Sequence, residues 1–133
     1  MKTIYAREDY LGADEYIDVV RKSGLNRPVE DRGRVERMLA HANLILTARQ
    51  DGKLVGFARS LTDFCFCCYL SDLAVDKACQ GQGIGKRLIE ETRTAAGGAL
   101  TTTLLLSAPT AMSFYQGIKM PQADNCFLYR RQA

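Results

Sequence analysis

The stretch Asp72–Glu91 reads DLAVDKACQGQGIGKRLIEE, and it decides the fold. Leu73, Ala74 and Val75 form the end of a buried strand. Gln80-Gly81-Gln82-Gly83-Ile84-Gly85 is a glycine-rich turn, and from Lys86-Arg87 onward the pattern is helical. Glycines at alternate positions let a ligand come close to backbone, because no Cβ stands in the way. A helix start adds free N–H groups and the positive end of the dipole. The turn therefore predicts an anion ligand, first of all a phosphate or pyrophosphate.

Counting removes two nucleotide-binding loops. A Walker A loop needs Gly-x4-Gly-Lys-Ser/Thr; its first glycine would fall on Gln80, and Arg87 stands where the magnesium-binding hydroxyl belongs. A dinucleotide fingerprint starting at Gly81 and Gly83 would put its third glycine on Lys86, and no carboxylate for a ribose lies near Thr101, Thr102 and Thr103. A third loop fits. Gln80-x-x-Gly83-x-Gly85, after a strand ending Leu-Ala-Val, resembles the acyl-CoA pyrophosphate loop of the GNAT superfamily of N-acyltransferases, whose signature is Gln/Arg-x-x-Gly-x-Gly/Ala. The bland alternative is a strand–turn–helix whose glycines serve only tight packing.

The 133 residues predict one domain, 1–133, with a single core. A hydrophobic content of 47% and a charged content of 25% fall in the globular range. The net charge of +3 suits a polyanionic ligand, and no basic run argues for nucleic acid. No apolar run of roughly 18 residues predicts a membrane span, and Met1–Tyr10 lacks a signal-like stretch, so the chain reads as cytoplasmic. Five cysteines, at 65, 67, 68, 79 and 126, are expected to be free thiols in a reducing compartment. The Cys65-Phe66-Cys67-Cys68 cluster has neither Cys-x2-Cys spacing nor a nearby histidine, so no metal site is expected. These cysteines read as small apolar strand residues.

In chain order, strands are expected at 3–6, 44–49, 54–61, 65–75, 101–106 and 126–130, and helices at 13–23, 31–42, 83–96 and 111–116. Val35, Met38, Leu39 and Ala42 form one helical face, as do Ile84, Leu88, Ile89, Thr92 and Ala95. Gln50-Asp51-Gly52-Lys53 is a hairpin turn, because Asp-Gly supplies positive φ. The strand–helix–strand unit after Cys65 predicts a parallel, right-handed crossover.

This order resembles the GNAT fold over nearly the whole chain. The implied architecture is an α/β (α+β) single domain with a central mixed, mostly antiparallel sheet of roughly six or seven strands and about four helices. An acyl-CoA groove would lie between splayed fourth and fifth strands. A second motif supports the resemblance. Ala111-Met112-Ser113-Phe114-Tyr115-Gln116-Gly117-Ile118-Lys119-Met120 matches the family's Asn-x-x-Ala-x-x-x-Tyr-Glu-Lys-x-Gly-Phe at the alanine and the tyrosine. Ala108 replaces the asparagine that bonds pantetheine, with Ser107 beside it as a substitute; Lys119 and Met120 replace Gly-Phe.

The resemblance implies an acetyl-CoA-dependent N-acetyltransferase acting on a primary amine by direct attack. Leu73, Ala74 and Val75 would pair with pantetheine, and residues Gln80, Gly81, Gln82, Gly83, Ile84, Gly85 and Lys86 would hold the pyrophosphate. A main-chain N–H at Leu73 or Val75 would polarise the thioester carbonyl. Tyr115 matches the family's general acid, against a plain packing role. The base stays open. In some relatives it is a glutamate at the position of Tyr69; here Asp72 is a nearby carboxylate, on the other strand face unless a bulge intervenes. Asp63, His41 or a water chain are the other choices. The rival functional reading is a non-catalytic acyl-CoA-binding sensor. The acceptor is expected to be a small-molecule amine, and a homodimer, common in the family, is left open by the sequence.

Overall fold

The computed structural model describes residues 2–133 and has one five-stranded sheet. Its elements are β1 (Thr3–Arg7), α1 (Ala13–Ser23), α2 (Arg32–His41), β2 (Leu44–Gln50), β3 (Lys53–Thr62), β4 (Cys67–Val75), α3 (Ile84–Ala95), β5 (Thr102–Leu104) and α4 (Met112–Gly117). The strands lie in sequence order. β1 to β4 are an antiparallel meander, and β5 joins β4 in parallel through α3.

Alternation along the strands sends side chains to two cores. On one face Ile45, Leu54, Phe57 and Ala74 meet Tyr16, Val19 and Val20 of α1 and Val35 of α2. On the other, Leu44, Leu46, Val55, Cys68 and Leu70 meet Ile84, Leu88 and Ile89 of α3. Each fully buried Leu or Ile stabilises the fold by about 1.5–3 kcal/mol, so these two faces hold the layers together. The helical faces read from the sequence are the buried ones. Val35 is enclosed, while Met38, Leu39 and Ala42 pack at the edge of the first core.

Arg49 of β2 adds a polar tie, reaching Glu8 at 2.9 Å and Glu15 of α1 at 2.6 Å. Asp51 and Gly52 close the expected hairpin at φ 50° and 78°, and Gly24 ends α1 in left-handed backbone at φ 81°.

The sheet has fewer strands than expected. Among the described residues Cys126–Arg130 forms no strand, and its aromatic side chains at Phe127 and Tyr129 are fully exposed. β-Propensity reports fit to a pleated partner surface rather than a backbone preference. The partner here is short: β5 covers only Thr102–Leu104 of the expected 101–106. Cys65 also falls before β4 rather than in it, and only Cys68 of the cysteine cluster is buried in the sheet. Three short 3-10 turns, at Lys77–Cys79, Gly98–Leu100 and Pro109–Ala111, were not expected.

Candidate functional site

The parallel ladder between β4 and β5 is short. Cys67 aligns with Thr102, Cys68 with Thr103 and Tyr69 with Leu104, and there the pairing stops. From Leu70 to Val75, β4 has β3 on one side only. The Asp76 N–H donates to Val55 O of β3 at 2.8 Å. N–H groups of alternate strand residues point to the same edge, so Ala74 also faces β3 while Leu73 and Val75 face the open edge. The Gln80 side-chain amide donates to Val75 O at 3.1 Å, which fixes the first signature residue of the glycine turn against that edge.

Gly81 and Gly83 adopt φ of 82° and 79°, and a Cβ on either would meet nothing within 4 Å. These two glycines serve conformation and leave space above the turn. α3 starts at Gly83 with no side-chain cap, and its first backbone bond is Arg87 N–H to Gly83 O at 3.0 Å. The N–H groups of Ile84, Gly85 and Lys86 are therefore free for an anion. Lys86 is exposed beside them, whereas Arg87 is engaged with Glu91 at 2.8 Å and stacks over Tyr5. Gln82 accepts from the Gln50 amide at 3.2 Å. Gly85 differs from the other two. It is buried, and a Cβ there would lie 2.9 Å from Cζ of Phe114 in α4.

α4 carries Tyr115, which packs half-buried against the α3-side core, its ring 5.0 Å edge-on from Phe114. Among the described residues its hydroxyl has no hydrogen-bond partner. Burial raises its pKa above the ordinary phenol value, and the positive charge of Arg27 opposes the rise. A hydroxyl that holds its proton at neutral pH suits a proton donor. Lys119, where the family signature has glycine, takes the left-handed conformation that glycine favours, at φ 61°. Ser107 is half-buried, its hydroxyl turned to Ala108 O at 2.8 Å.

A β-bulge settles which face of β4 Asp72 occupies. Arg59 pairs with Asp72 and Ser60 with Leu70, so Ser71 is the extra residue. The bulge reverses the alternation and puts Tyr69 and Asp72 on one face, the side of α1 and α2. Asp72 is wholly buried. Its Oδ1 accepts from Arg27 Nε at 2.6 Å, and its Oδ2 accepts from Arg59 Nε at 2.6 Å and Tyr16 OH at 2.7 Å. Burial alone would raise its pKa; the hydrogen bonds and charges of Arg59 and Arg27 outweigh it and hold the carboxyl below its usual value. The same burial, with the Asp72 charge, pushes the Tyr16 hydroxyl well above the ordinary range. An ionised carboxylate with both oxygens occupied suits an anchor better than a proton acceptor.

The other base candidates are placed as follows. Asp63 accepts the N–H groups of Cys65, Phe66 and Cys67 at 3.0, 2.8 and 3.0 Å, capping the turn before β4. Those N–H groups, Cys67 first, hold it well below the usual carboxylate range. His41 is exposed at the end of α2, and Tyr69 is 38% exposed at the last rung of the β4–β5 ladder. Arg27, in the loop between α1 and α2, is the site residue that sequence reading missed. Its one signal is a charged side chain beside Pro28, in the segment between the two helices expected at 13–23 and 31–42.

The family model described as an acetyltransferase (GNAT) domain matches residues 41–118, from the end of α2 through α4, which is more than half of the chain. The chain belongs to the GNAT family of acetyltransferases. It is 28% identical over 104 residues to the chloroplastic serotonin N-acetyltransferase 2 of Oryza sativa subsp. japonica, covering 74% of this chain and 51% of that protein. The first curated relatives are matched over only 28%, 51% and 54% of their own lengths. Among solved structures, a GNAT-family acetyltransferase from Streptococcus pneumoniae superposes with TM-score 0.78 at 18% identity, over 99% of this chain and 100% of that one. An aminoglycoside N-acetyltransferase in complex with CoA gives 0.71 at 15% identity, over 99% and 96%. At those identities the likeness establishes the fold. No helix among the described residues is long and apolar enough to cross a membrane.

Proposed function

We propose that this chain transfers an acetyl group from acetyl-CoA to a primary amine of a small molecule. One observation carries the reading: the parallel ladder stops after three residue pairs, at Tyr69–Leu104, and leaves the β4 edge open directly above a glycine turn and an uncapped helix start. The residues present fit the donor. Free N–H groups at 84–86 and the bare space over Gly81 and Gly83 suit a pyrophosphate, and the Leu73 and Val75 amides suit an amide-rich arm lying along the strand as an added one. Bound acetyl-CoA would supply the acyl group as an activated thioester.

The remaining roles belong to the chain. The Leu73 or Val75 N–H donates to the acyl oxygen as charge builds there. Tyr115 keeps its proton at neutral pH and gives it to the departing sulfur, so the products are an N-acetyl amide and the free CoA thiol. Asp72 acts as a buried anchor, and the amine proton leaves through water near Tyr69. Ser107 and Lys86 take supporting parts in holding pantetheine and phosphate. The named activities of the relatives, on serotonin and on aminoglycosides, support an amine acceptor, and two unlike amines favour a primary amine over any one scaffold.

The test is a panel of amines, assayed by free-thiol release beside acetyl-CoA binding. Amine-dependent thiol release supports the transferase. Tight binding with no release from any amine would point to the acyl-CoA sensor, and absence of binding would refute both.

A further inference from the structure

The strongest unassigned feature is the ion cluster behind the parting of β4 and β5. Arg27 uses three edges of its guanidinium: Nε to Asp72 Oδ1 at 2.6 Å, Nη2 to Ser71 O at 2.7 Å and Nη1 to Asn26 O at 2.6 Å. Arg59 holds the same bulge from the other side, with Nη2 on Ser71 Oγ at 3.1 Å. Ser71 is the extra residue of the bulge, two positions beyond the last rung of the β4–β5 ladder. Bulges bend the strand and increase its twist, and this one lies just past the point where β4–β5 pairing ends.

Two guanidinium groups share one carboxylate, so the cluster carries one positive charge in excess. Arg59 and Asp72 are sealed, at 8% and 0% side-chain exposure, whereas Arg27 is 23% exposed. The accessible part of that excess charge is therefore on Arg27.

We infer that Arg27 is a positioning residue for acyl transfer: it clasps the Ser71 bulge and so fixes the open edge of β4 at Leu73 and Val75. The inference rests on the acyltransferase reading. Only a planar fork can reach Asp72 and Ser71 O at once, so lysine would keep the charge and lose the clasp. Charge and clasp are thus separable by substitution.

The experiment uses the whole chain with Arg27→Lys and Arg27→Gln, and two readouts. The first is amide hydrogen exchange of Leu73 and Val75 without ligand. Both variants should change exchange at these two amides and leave the β2–β3 amides as in the parent. The second is kcat by thiol release, expected to fall roughly 10²-fold in Arg27→Lys, the scale of a small misplacement of reacting groups, with acetyl-CoA affinity nearly kept. Parent-like kcat in Arg27→Lys would overturn the inference. If the parent releases no thiol with any amine, the transferase reading falls; unchanged exchange at Leu73 and Val75 then overturns the clasp as well, and changed exchange sustains it.

Discussion

Replacing Asp72 by Asn removes one charge and almost no volume, so its effect isolates the ion cluster. Asp72 accepts three short hydrogen bonds, from Arg27, Arg59 and Tyr16, at full burial. An asparagine offers one acceptor oxygen and turns an NH2 group toward donors that need acceptors. Arg59, with 8% of its side chain exposed, then stays buried without its counter-charge. Breaking one side of a buried pair costs about 3–5 kcal/mol, a large share of the roughly 5–15 kcal/mol that stabilises a domain. For a chain of this length the thermal midpoint should drop by about 10–20 °C. The pH dependence gives a sharper check. The folded pKa of Asp72 lies below its unfolded value. Its contribution is thus complete above the unfolded pKa and disappears as pH falls through the folded one. Urea denaturation of parent and variant at several pH values should show a wide gap near neutrality that narrows in strong acid. A gap below about 1 kcal/mol at pH 7, or one independent of pH, would refute the argument that the carboxylate is ionised and paired.

Tyr115→Phe should lower kcat by about 10²-fold or more while acetyl-CoA affinity, measured by calorimetry, stays near that of the parent; an equal loss of both would assign the ring to packing. Gly83→Ala puts a Cβ into open space at φ 79°, so the cost is backbone strain of about 1–2 kcal/mol in a denaturation curve, with acetyl-CoA affinity weakened roughly tenfold by the filled space. Lys119→Gly relieves left-handed strain at φ 61° and should raise stability by about 0.5–1 kcal/mol, after the extra chain entropy of glycine is subtracted.

Much of this fold was legible because its signals are local. The α1 bounds follow from its apolar spacing and Gly24, the hairpin from Asp51-Gly52, and the glycine turn from three glycines before a helical stripe. Bulge chemistry was not legible. No residue type marks Ser71 as the extra one, since the bulge is a property of the register between β3 and β4. Asp72 could be chosen as a charged residue in a buried strand, but its two arginine partners come from positions 27 and 59, far apart in sequence. Their convergence is tertiary. The segment Cys126–Arg130 failed in the opposite sense: its composition favours a strand, and no partner edge receives it.

The third glycine of the turn has a consequence that runs away from the ligand. Gly85 faces the Phe114 ring, next to Tyr115, rather than the open space over Gly81 and Gly83. The family signature accepts alanine at this position, yet here a methyl group would press on an aromatic carbon at 2.9 Å. Positions 85 and 114 are therefore a size-matched pair in this chain. An alanine at 85 would require the Phe114 ring to shift or a smaller side chain at 114. Introduced alone, it would displace the ring beside Tyr115, so under the proposed function its effect would surface in proton delivery although it sits in the glycine turn.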